Sequence, residues 1–358
     1  MKKKIVYIIT RGDIGGAQNH LFSLIKHFSK DYDLVLISGS HGEIVLQSED
    51  LGVTTHIIKQ IDSYNIVFAI FRLARILKIE SPDIVHTHSS LASVYGRISA
   101  KFCKAKVLYT VHGWHFANLS NKVNVFLQIY VEKLLRPFTD YWVTVSNFDL
   151  KLGLKYNLFK RNFFKCIENG IENKKQGDRV SSSDRIRLVF VGRISSQKNP
   201  LAAINIIEKC NENVELTMYL AGSDSSNLNY IIDSKSLTQR CQIVLNDRDP
   251  SRNFHMFDIM LVTSKYEGMP LSVLEGLRAG LPIISTDVCG MNELVKPENG
   301  YLVNFCDESG IVDKIHLLSE NRIELLNKSK ASKKLFQDSF IESKMLAKIS
   351  YVYRELLS

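Results

Sequence analysis

The sequence lacks the cysteine and histidine spacing of metal-stapled and disulfide-stapled proteins. Its six cysteines are scattered, with no C-x-x-C pair and no regular spacing to histidine, so neither a zinc site nor a disulfide framework is indicated. We therefore expect reduced thiols, as in cytosolic proteins. The cysteines are Cys103, Cys166, Cys210, Cys241, Cys289 and Cys306.

Long apolar runs are also missing. The basic start, MKKKIVYIITRGD, has an apolar run only from Ile5 to Ile9, which is too short for the core of a signal peptide and is typical of a first β-strand. No apolar stretch reaches the roughly 18 residues that a bilayer span requires. We expect a cytoplasmic protein that lies at the inner face of the cell membrane.

The composition is that of an ordinary folded protein with a basic surplus. A chain of 358 residues favours two domains, and contents of 45% hydrophobic and 23% charged residues are typical of globular proteins. The formal charge of +9 suits an anionic substrate or an anionic membrane surface. Charge alone does not exclude nucleic acid, but no recognised RNA-binding motif is present, and we expect no nucleic-acid partner.

Strand and helix patterns alternate along both halves of the chain. Residues 169–184 are polar and rich in Gly, Ser and Lys, which indicates a linker between the halves. The alternation predicts a doubly wound parallel sheet in each half, with ligands beyond the carboxyl ends of the strands. The predicted strands are IVYII, YDLVLIS, VTTHII, DIVHTH, KVLYTVHG and YWVTVS in the first half, then RIRLVFVGRI, VELTMYLAG, CQIVL, DIMLVTS and PIIST.

Residues 258–286 read as a strand, a short loop, a helix and a further strand. Pro270 is predicted at the first helical position, which leaves the N–H groups of Leu271, Ser272 and Val273 free to bind an anion. Glu267 on the loop and Glu275 in the helix flank that site and can accept hydrogen bonds from hydroxyls. Phosphate flanked by sugar hydroxyls describes a nucleotide sugar. Alternatively, one glutamate caps the helix and the other is solvated.

Two further turns can hold phosphate. Arg193 and Lys198 bracket a loop that opens a helix at Pro200, and two cations there can neutralise a diphosphate. Gly15 and Gly16 allow close backbone approach at another helix start, although such a pair is often only a turn. The segment is not G-x-G-x-x-G, so dinucleotide binding is poorly supported.

Metal binding has two weak signals. Four histidines lie near strand ends, but no H-E-x-x-H spacing accompanies them, and a histidine there usually satisfies local hydrogen bonds. D-x-D strings occur at 31–33 and 247–249, the first on a turn and the second before Pro250. We predict no metal ligands. The four histidines are His86, His88, His112 and His115.

Residues 120–165 suggest contact with a membrane. NKVNVFLQIYVEKLLRPF is amphipathic, and KLGLKYNLFKRNFFK interleaves cations with apolar side chains, as segments at anionic interfaces do. A packed helix with a solvated basic face explains the same pattern. The interleaved residues are Lys151, Leu152, Lys155, Phe159, Lys160, Arg161, Phe163, Phe164 and Lys165.

Four motifs together resemble the retaining glycosyltransferases of the GT-B fold, above all glycosyltransferase family 4. They are E-G-x-P-x-x-x-L-E-G-L-x-A-G-x-P-I-I-x-T from Glu267, V-G-R-I-x-x-Q-K-N-P from Val191, G-G-A-Q-x-H from Gly15 and T-V-H-G-W from Thr110. The resemblance implies an α/β protein of two Rossmann-like doubly wound domains that face an interdomain cleft.

The implied domains follow the linker. We place an acceptor-binding domain at 1–172, a linker at 173–184, a nucleotide-sugar-binding domain at 185–340 and a C-terminal helix at 341–358 that crosses back to the first domain.

The resemblance also implies the site. Catalytic roles fall to His112, which faces the donor sugar in the family, and to Arg193, Lys198 and Glu267. Glu275 should accept from the ribose, and 247–249 match the position that contacts the base. The implied nucleotide-sugar-binding set is Gly15, Gly16, Arg193, Lys198, Arg248, Glu267, Gly268, Pro270, Leu271, Ser272, Val273 and Glu275.

The implied reaction is transfer of a hexose, with retention, from a nucleotide diphosphate sugar to a lipid-linked or oligosaccharide acceptor. The setting would be assembly of a bacterial surface polysaccharide such as capsule, O-antigen or lipopolysaccharide. We expect a UDP-linked donor, no cofactor, no metal and peripheral contact with an anionic membrane. The alternatives are a nucleotide-sugar epimerase of the same fold and a non-catalytic protein that binds carbohydrate or membrane.

Overall fold

The chain forms two compact units in this computed structural model, which describes residues 2–13, 15–63, 65–118, 121–175, 177 and 185–358. Unit 1 comprises Met1–Gly170 with Glu342–Ser358, and unit 2 comprises Ile171–Ile341. Unit 1 ends at Gly170 and resumes at Glu342, against predicted bounds of 172 and 341, whereas unit 2 starts at Ile171 and so includes the segment predicted as a linker. Most of the predicted linker lies outside the described residues.

Unit 1 is built on a parallel sheet of seven strands in the order β3-β2-β1-β4-β5-β6-β7. Most of these strands are buried on both faces, which explains their near-continuous apolar runs. The six predicted strands are present. The strands are β1 (Lys4–Ile9), β2 (Asp33–Ser38), β3 (Thr54–Ile57), β4 (Ile84–His88), β5 (Lys106–Val111), β6 (Tyr141–Thr144) and β7 (Phe164–Cys166).

Helices cover both faces of this sheet. The helices are α1 (Gly16–Phe28), α2 (Glu43–Asp50), α3 (Ile66–Glu80), α4 (Ser90–Ser99), α5 (Lys122–Leu135), α6 (Asn147–Lys155) and, from the end of the chain, α13 (Glu342–Leu357). One core joins α1, α2 and α13 to the sheet, and a second joins α3 and α4 to it. The predicted C-terminal helix is therefore part of unit 1.

Unit 2 repeats the arrangement with six parallel strands in the order β10-β9-β8-β11-β12-β13. Its strands are β8 (Ile186–Arg193), β9 (Val214–Ala221), β10 (Cys241–Leu245), β11 (Ile259–Val262), β12 (Ile283–Thr286) and β13 (Gly300–Val303). Its helices are α7 (Pro200–Lys209), α8 (Ser226–Ser234), α9 (Leu271–Ala279), α10 (Met291–Leu294), α11 (Glu308–Glu320) and α12 (Arg322–Ser339). In both units the strand order reverses beside the first strand, as in Rossmann-like folds.

Part of the basic and aromatic segment 151–165 is buried in unit 1. Phe159 is buried among Trp114, Trp142 and Phe164, and β7 adds the end of the segment to the sheet. Phe159 packs into an aromatic core, although the alternating basic and apolar pattern had placed it at the surface. Within this segment, Phe163 and Leu154 are exposed.

In the described part of the chain, the six cysteines form no disulfide. Among the described residues, no helix combines the length and the apolar character needed to cross a membrane.

Candidate active site

The site of unit 2 lies where the strand order reverses. β8 and β11 are neighbours there, and ligands of doubly wound sheets bind beyond the carboxyl ends of such strands. The loop after β8 carries Lys198, and the loop after β11 carries Glu267. The topology therefore brings together two predicted residues that are 69 positions apart.

Lys198 and Glu267 form an ion pair. The distance from Lys198 Nζ to Glu267 Oε1 is 2.6 Å, and the two side chains are only 15% and 6% exposed. Ser264 Oγ donates to the same carboxylate oxygen at 2.6 Å. From the sequence, Lys198 was expected to contact phosphate and Glu267 to contact sugar hydroxyls. The structure shows that each is also the other's partner, so a bound ligand must share or break the pair.

The two loops are tied together by hydrogen bonds to the backbone. Thr263 Oγ1 donates to the carbonyl oxygens of Lys198 and Asn199, at 3.2 and 2.9 Å. Gln197 Nε2 donates to Tyr266 O at 3.1 Å, and Lys265 N–H donates to Gln197 O at 2.8 Å. These contacts fix the lysine and the glutamate against each other. Sequence analysis missed them, because neither Thr263 nor Gln197 carries a signal without the strand order.

Gly192 leaves room for the lysine. A Cβ at this position would lie 3.0 Å from Lys198 Cγ and 3.2 Å from its Cβ and Cδ. The stem of Lys198 therefore crosses the backbone at the end of β8, which directs its ammonium group toward the β11 loop. A side chain at Gly192 would crowd Lys198, which explains the glycine of the G-R motif.

Helix α9 begins one residue later than predicted. Pro270 is its N-cap, with φ −71° and ψ 125°, and Leu271 is the first helical residue. Val273 N–H donates to Pro270 O at 3.1 Å, so the prediction that it is free to bind an anion is wrong for this state. The N–H groups of Leu271 and Ser272 have no acceptor among the described residues. Two free N–H donors, rather than the predicted three, are therefore present at this helix start.

Glu275 lies one turn into α9 with a partly exposed side chain. Burial raises the pKa of its carboxyl to about 7, while Arg278 opposes the rise and Asp249 adds to it. Arg278 donates to Glu172 O and to Ser251 Oγ, both at 2.8 Å. A carboxyl in this setting holds a proton near neutral pH and ionises when a ligand supplies donors. No sequence pattern had indicated that Arg278 would lie beside Glu275.

The remaining predicted residues of unit 2 lie at or beyond the carboxyl ends of the parallel strands, as Lys198 and Glu267 do. Arg193 ends β8 and Arg248 follows β10; both are exposed and have no side-chain partner among the described residues. Gly268 belongs to the loop before α9. These two arginines are available to an anionic ligand.

The second D-x-D string has local partners. Asp247 Oδ2 lies 3.2 Å from Arg252 Nη2, and Asp249 Oδ1 accepts from Ser251 Oγ at 2.6 Å. In the part of the chain that the structure describes, neither aspartate belongs to a group of possible metal ligands. The string thus stabilises a loop and the 3₁₀ helix Pro250–Met256 that follows.

In unit 1, the predicted glycines begin helix α1. Gly15 is its N-cap and Gly16 its first residue. The preceding turn is closely packed: a Cβ on Gly12 would lie 2.7 Å from Ser40 O, and one on Gly42 would lie 2.2 Å from Gly12 O. Because Gly12 and Gly42 have no side chains, the two turns can approach this closely. Neither glycine was singled out from the sequence.

The histidines at the strand ends of unit 1 have different environments. His86 Nδ1 is 2.8 Å from Tyr353 Oη and its Nε2 is 2.7 Å from Thr110 Oγ1, so both its nitrogens are used structurally. His112 follows β5, is half-buried, and its Nε2 lies 3.0 Å from His88 Nδ1. His20 of α1 packs edge-on against His112. The side chain of His115 lies outside the described residues.

Burial lowers the pKa of the clustered histidines. The pKa of His20 falls to about 4, and those of His88 and His112 lie well below the usual range. All three rings are therefore neutral at neutral pH. His112 can then offer a donor or an acceptor without charge, as expected of a residue that contacts a sugar.

Both halves of the chain match models of glycosyltransferase families. The Glycosyltransferase Family 4 model matches residues 14–175, and the model for Glycosyl transferases group 1 matches residues 172–335. Together they span both Rossmann-like units and both candidate sites. The class of protein is thus a GT-B glycosyltransferase, and the chain belongs to family 4.

Named relatives and a solved structure agree with this. The chain is 27% identical over 318 residues to the Escherichia coli O-antigen biosynthesis glycosyltransferase WbnH, covering 87% of this chain and 90% of that protein. It is 28% identical over 310 residues to the E. coli UDP-Gal:alpha-D-GlcNAc-diphosphoundecaprenol alpha-1,3-galactosyltransferase, covering 81% and 79%. Anabaena HepE in complex with UDP and glucose has the same fold, with a TM-score of 0.84 at 16% identity, covering 99% and 100%.

Proposed function

We propose that this glycosyltransferase moves a hexose, with retention, from a UDP-sugar to a lipid-linked glycan in the assembly of a bacterial surface polysaccharide. The Lys198–Glu267 pair supports the proposal, because it places the lysine proposed for the phosphate in contact with the glutamate proposed for the sugar. The relatives supply the setting: one is named for O-antigen biosynthesis, and another for galactose transfer to a diphosphoundecaprenol-linked sugar.

The residues of unit 2 divide the donor between them. Arg193, Lys198 and the N–H groups of Leu271 and Ser272 hold the diphosphate. Glu275 accepts from the ribose, and Glu267 accepts from a hydroxyl of the transferred sugar. A hydroxyl in that place also competes with Lys198 for the Glu267 carboxylate, which frees the ammonium group for the phosphate.

Retention in this proposal needs no protein nucleophile. The acceptor hydroxyl attacks the face that the diphosphate leaves, and the leaving phosphate oxygen takes its proton. Arg193 and Lys198 stabilise the negative charge that grows on that oxygen, without a metal ion. His112 keeps its predicted role as a hydrogen-bond partner of the donor sugar, and Gly15 and Gly16 that of approaching the phosphates.

The first test is nucleotide binding. We would measure the melting temperature with UDP, GDP or ADP in the presence of EDTA, for the wild type and for Glu275→Ala. A ligand that binds only the folded state stabilises it by about 2.7 kcal/mol at 100 times its Kd. A shift with UDP alone that Glu275→Ala removes is expected. A shift with none of the three would contradict the donor site and favour a non-catalytic binding protein.

The second test is transfer itself. With UDP-hexoses and a diphosphoundecaprenol-linked sugar, the anomeric configuration of the product reports retention, and product formed without acceptor would indicate an epimerase. Arg193→Ala should lower the rate by about 100- to 1000-fold, because it removes one stabiliser of the leaving phosphate. Lys209→Ala on the far end of α7 is the matched control. Full activity of Arg193→Ala would overturn the assignment.

We also propose that unit 1 contacts an anionic membrane through the outer faces of α3 and α5. Both helices pack against α4. Their exposed apolar side chains form an unusual surface for a water-facing protein. Cations, among them Arg72, Arg75, Lys122 and Lys133, accompany it. The apolar set, with exposures from 51% to 76%, is Val67, Phe68, Phe71, Val123, Phe126, Leu127, Tyr130 and Leu134.

Vesicle flotation tests this surface. The wild type should float with vesicles that contain phosphatidylglycerol and much less with pure phosphatidylcholine. Phe68→Ser combined with Phe126→Ser should weaken binding about 100-fold, because each ring would bury apolar area in the interface. Tyr230→Ser, which changes an aromatic residue of unit 2 that is 72% exposed, is the control. Equal flotation of the double variant and the wild type would place the contact elsewhere.

A further inference from the structure

Three histidines of unit 1 form a cluster, and only one of them, His112, has a part in the proposed donor site. His20 lies on α1, His88 ends β4 and His112 follows β5. One ring nitrogen from each lies within 4.8 Å of the others. Three different elements of a buried sheet and its helix therefore aim nitrogen donors at one point.

The cluster leaves buried polar atoms without hydrogen bonds. Neither nitrogen of His20 has a partner in hydrogen-bond geometry, although Asn169 lies near enough to raise its pKa, and His20 is only 2% exposed. Buried polar nitrogens are nearly always satisfied, so an ion or water is the usual explanation for such a group.

The neighbouring His86 shows the contrast. It is just as buried, but both its nitrogens are used by Tyr353 and Thr110. Burial alone therefore does not leave histidines unpaired in this unit. In the cluster of three, by contrast, neither ring nitrogen of His20 meets hydrogen-bond geometry.

We propose that His20, His88 and His112 form a binding site for a transition-metal ion of the zinc class. Imidazole nitrogen suits Zn²⁺, Co²⁺, Ni²⁺ and Cu²⁺, and the absence of a carboxylate from this described cluster disfavours Mg²⁺ and Ca²⁺. The 3.0 Å between His88 Nδ1 and His112 Nε2 is close to the roughly 3.3 Å that two nitrogens bound to one tetrahedral zinc would show.

The cluster suits an exchangeable ion. Three protein ligands leave a fourth position for water or another group. His112 is half-buried, so the ion can enter from the side of that ring, whereas His20 and His88 are buried behind it. The neutral rings keep their lone pairs available at neutral pH. Because a nitrogen bound to a metal carries no proton, the proton now between His88 Nδ1 and His112 Nε2 would move to the other nitrogen of its own ring.

Metal binding is measured directly on the full chain, freed of any histidine tag. Titration with Zn²⁺ should show one equivalent per chain. His20→Gln, His88→Gln and His112→Gln should each weaken binding by at least about 100-fold, since each removes one of three ligands. His41→Gln, which changes an exposed histidine of the same unit, is the matched control and should bind like the wild type.

Cobalt distinguishes this site from the free cysteines. Co²⁺ held by imidazole shows visible ligand-field bands without the near-ultraviolet absorption of a thiolate complex. Zinc binding that persists when all three histidines are changed would overturn the proposal, and so would the absence of stoichiometric binding. If changes at the buried His20 and His88 prevent folding, His112→Gln alone decides, because its side chain is partly exposed.

One consequence rests on the proposed function. His112 is the ring assigned to the donor sugar, so bound zinc should inhibit transfer in the wild type and not in His20→Gln. Zinc that binds through the three histidines without slowing transfer would leave the metal site standing. That result would remove His112 from the donor site.

Discussion

Glu275 is a carboxyl group of unit 2 whose charge state should change when the proposed donor binds. Its pKa is raised to about 7 by burial, so the empty site holds a proton that the unfolded chain would release near the ordinary value of 4.5. Ribose hydroxyls that donate to the carboxylate would stabilise its ionised form and lower this pKa. Nucleotide binding near neutral pH should therefore release a proton.

The raised pKa also predicts how stability depends on pH. Between about pH 4.5 and 7 the folded state binds more protons at Glu275 than the unfolded state, so its contribution makes stability fall as pH rises. The full shift corresponds to roughly 3 kcal/mol, and we expect about 2 because the side chain is partly exposed.

Glu275→Gln removes this dependence. Urea unfolding at pH 5 and pH 8 should show the variant gaining about 2 kcal/mol relative to the wild type between the two pH values, with the gain present at pH 8. Glu298→Gln, at an exposed position of the same unit, is the control. A difference between variant and wild type that is equal at both pH values would mean that Glu275 has an ordinary pKa.

At the scale of elements, the turn after β8 sets the direction of Lys198. Gly192→Ala would place a Cβ 3.0 Å from Lys198 Cγ and displace the lysine stem by a few tenths of an ångström. Because transfer depends on the exact position of the Lys198 ammonium group, a shift of this size should lower kcat/KM roughly 10-fold. The melting temperature should change little. A transfer assay beside thermal unfolding measures both.

Gly222→Ala is the matched control for this turn. Its Cβ would lie 3.0 Å from Ile194 Cδ1, a similar crowding at the end of the neighbouring strand β9. If both alanine variants lose activity equally, the general packing of the strand ends matters rather than the path of Lys198.

The elements show what could be read from the sequence. Pro200 at the start of α7 was predicted from local chemistry. At the end of α9, the left-handed φ of 78° explains why Gly280 is a glycine. β7 and β13 were missed; both lie at the edge of a sheet, and Lys165 interrupts the apolar pattern of the three-residue β7. Such short edge strands depend on their neighbours rather than on their own sequence.

The candidate site was predictable in its residues but not in its contacts. The motifs name Lys198 and Glu267, yet their pairing depends on β8 and β11 being neighbours, which no local pattern specifies. The same holds for His20, His88 and His112, which lie on three separate elements. Periodicity also misplaced Phe159, because a pattern with period 3.6 or 2 does not say which aromatic ring enters the core.

At the scale of the whole molecule, the C-terminal helix belongs to the same unit as the N-terminal part of the chain. Helix α13 packs Met345, Ile349, Val352 and other apolar side chains on the sheet of unit 1, although unit 2 separates it from the rest of that unit in sequence. Unit 1 therefore cannot complete its core until the last residues of the chain are in place. Tyr353 marks this closure, because its hydroxyl lies 3.0 Å from Tyr7 Oη and 2.8 Å from His86 Nδ1.

Tyr353→Phe tests how much this closure contributes. Removing the hydroxyl leaves two buried polar groups without a partner, so unit 1 should lose about 2 kcal/mol of stability. Both tryptophans of the chain, Trp114 and Trp142, are buried in unit 1, so their fluorescence during urea unfolding follows this unit separately from unit 2. Tyr351→Phe, whose exposed ring keeps its contact with Lys165, should unfold like the wild type. Equal midpoints for Tyr353→Phe and Tyr351→Phe would show that α13 is held by its apolar face alone.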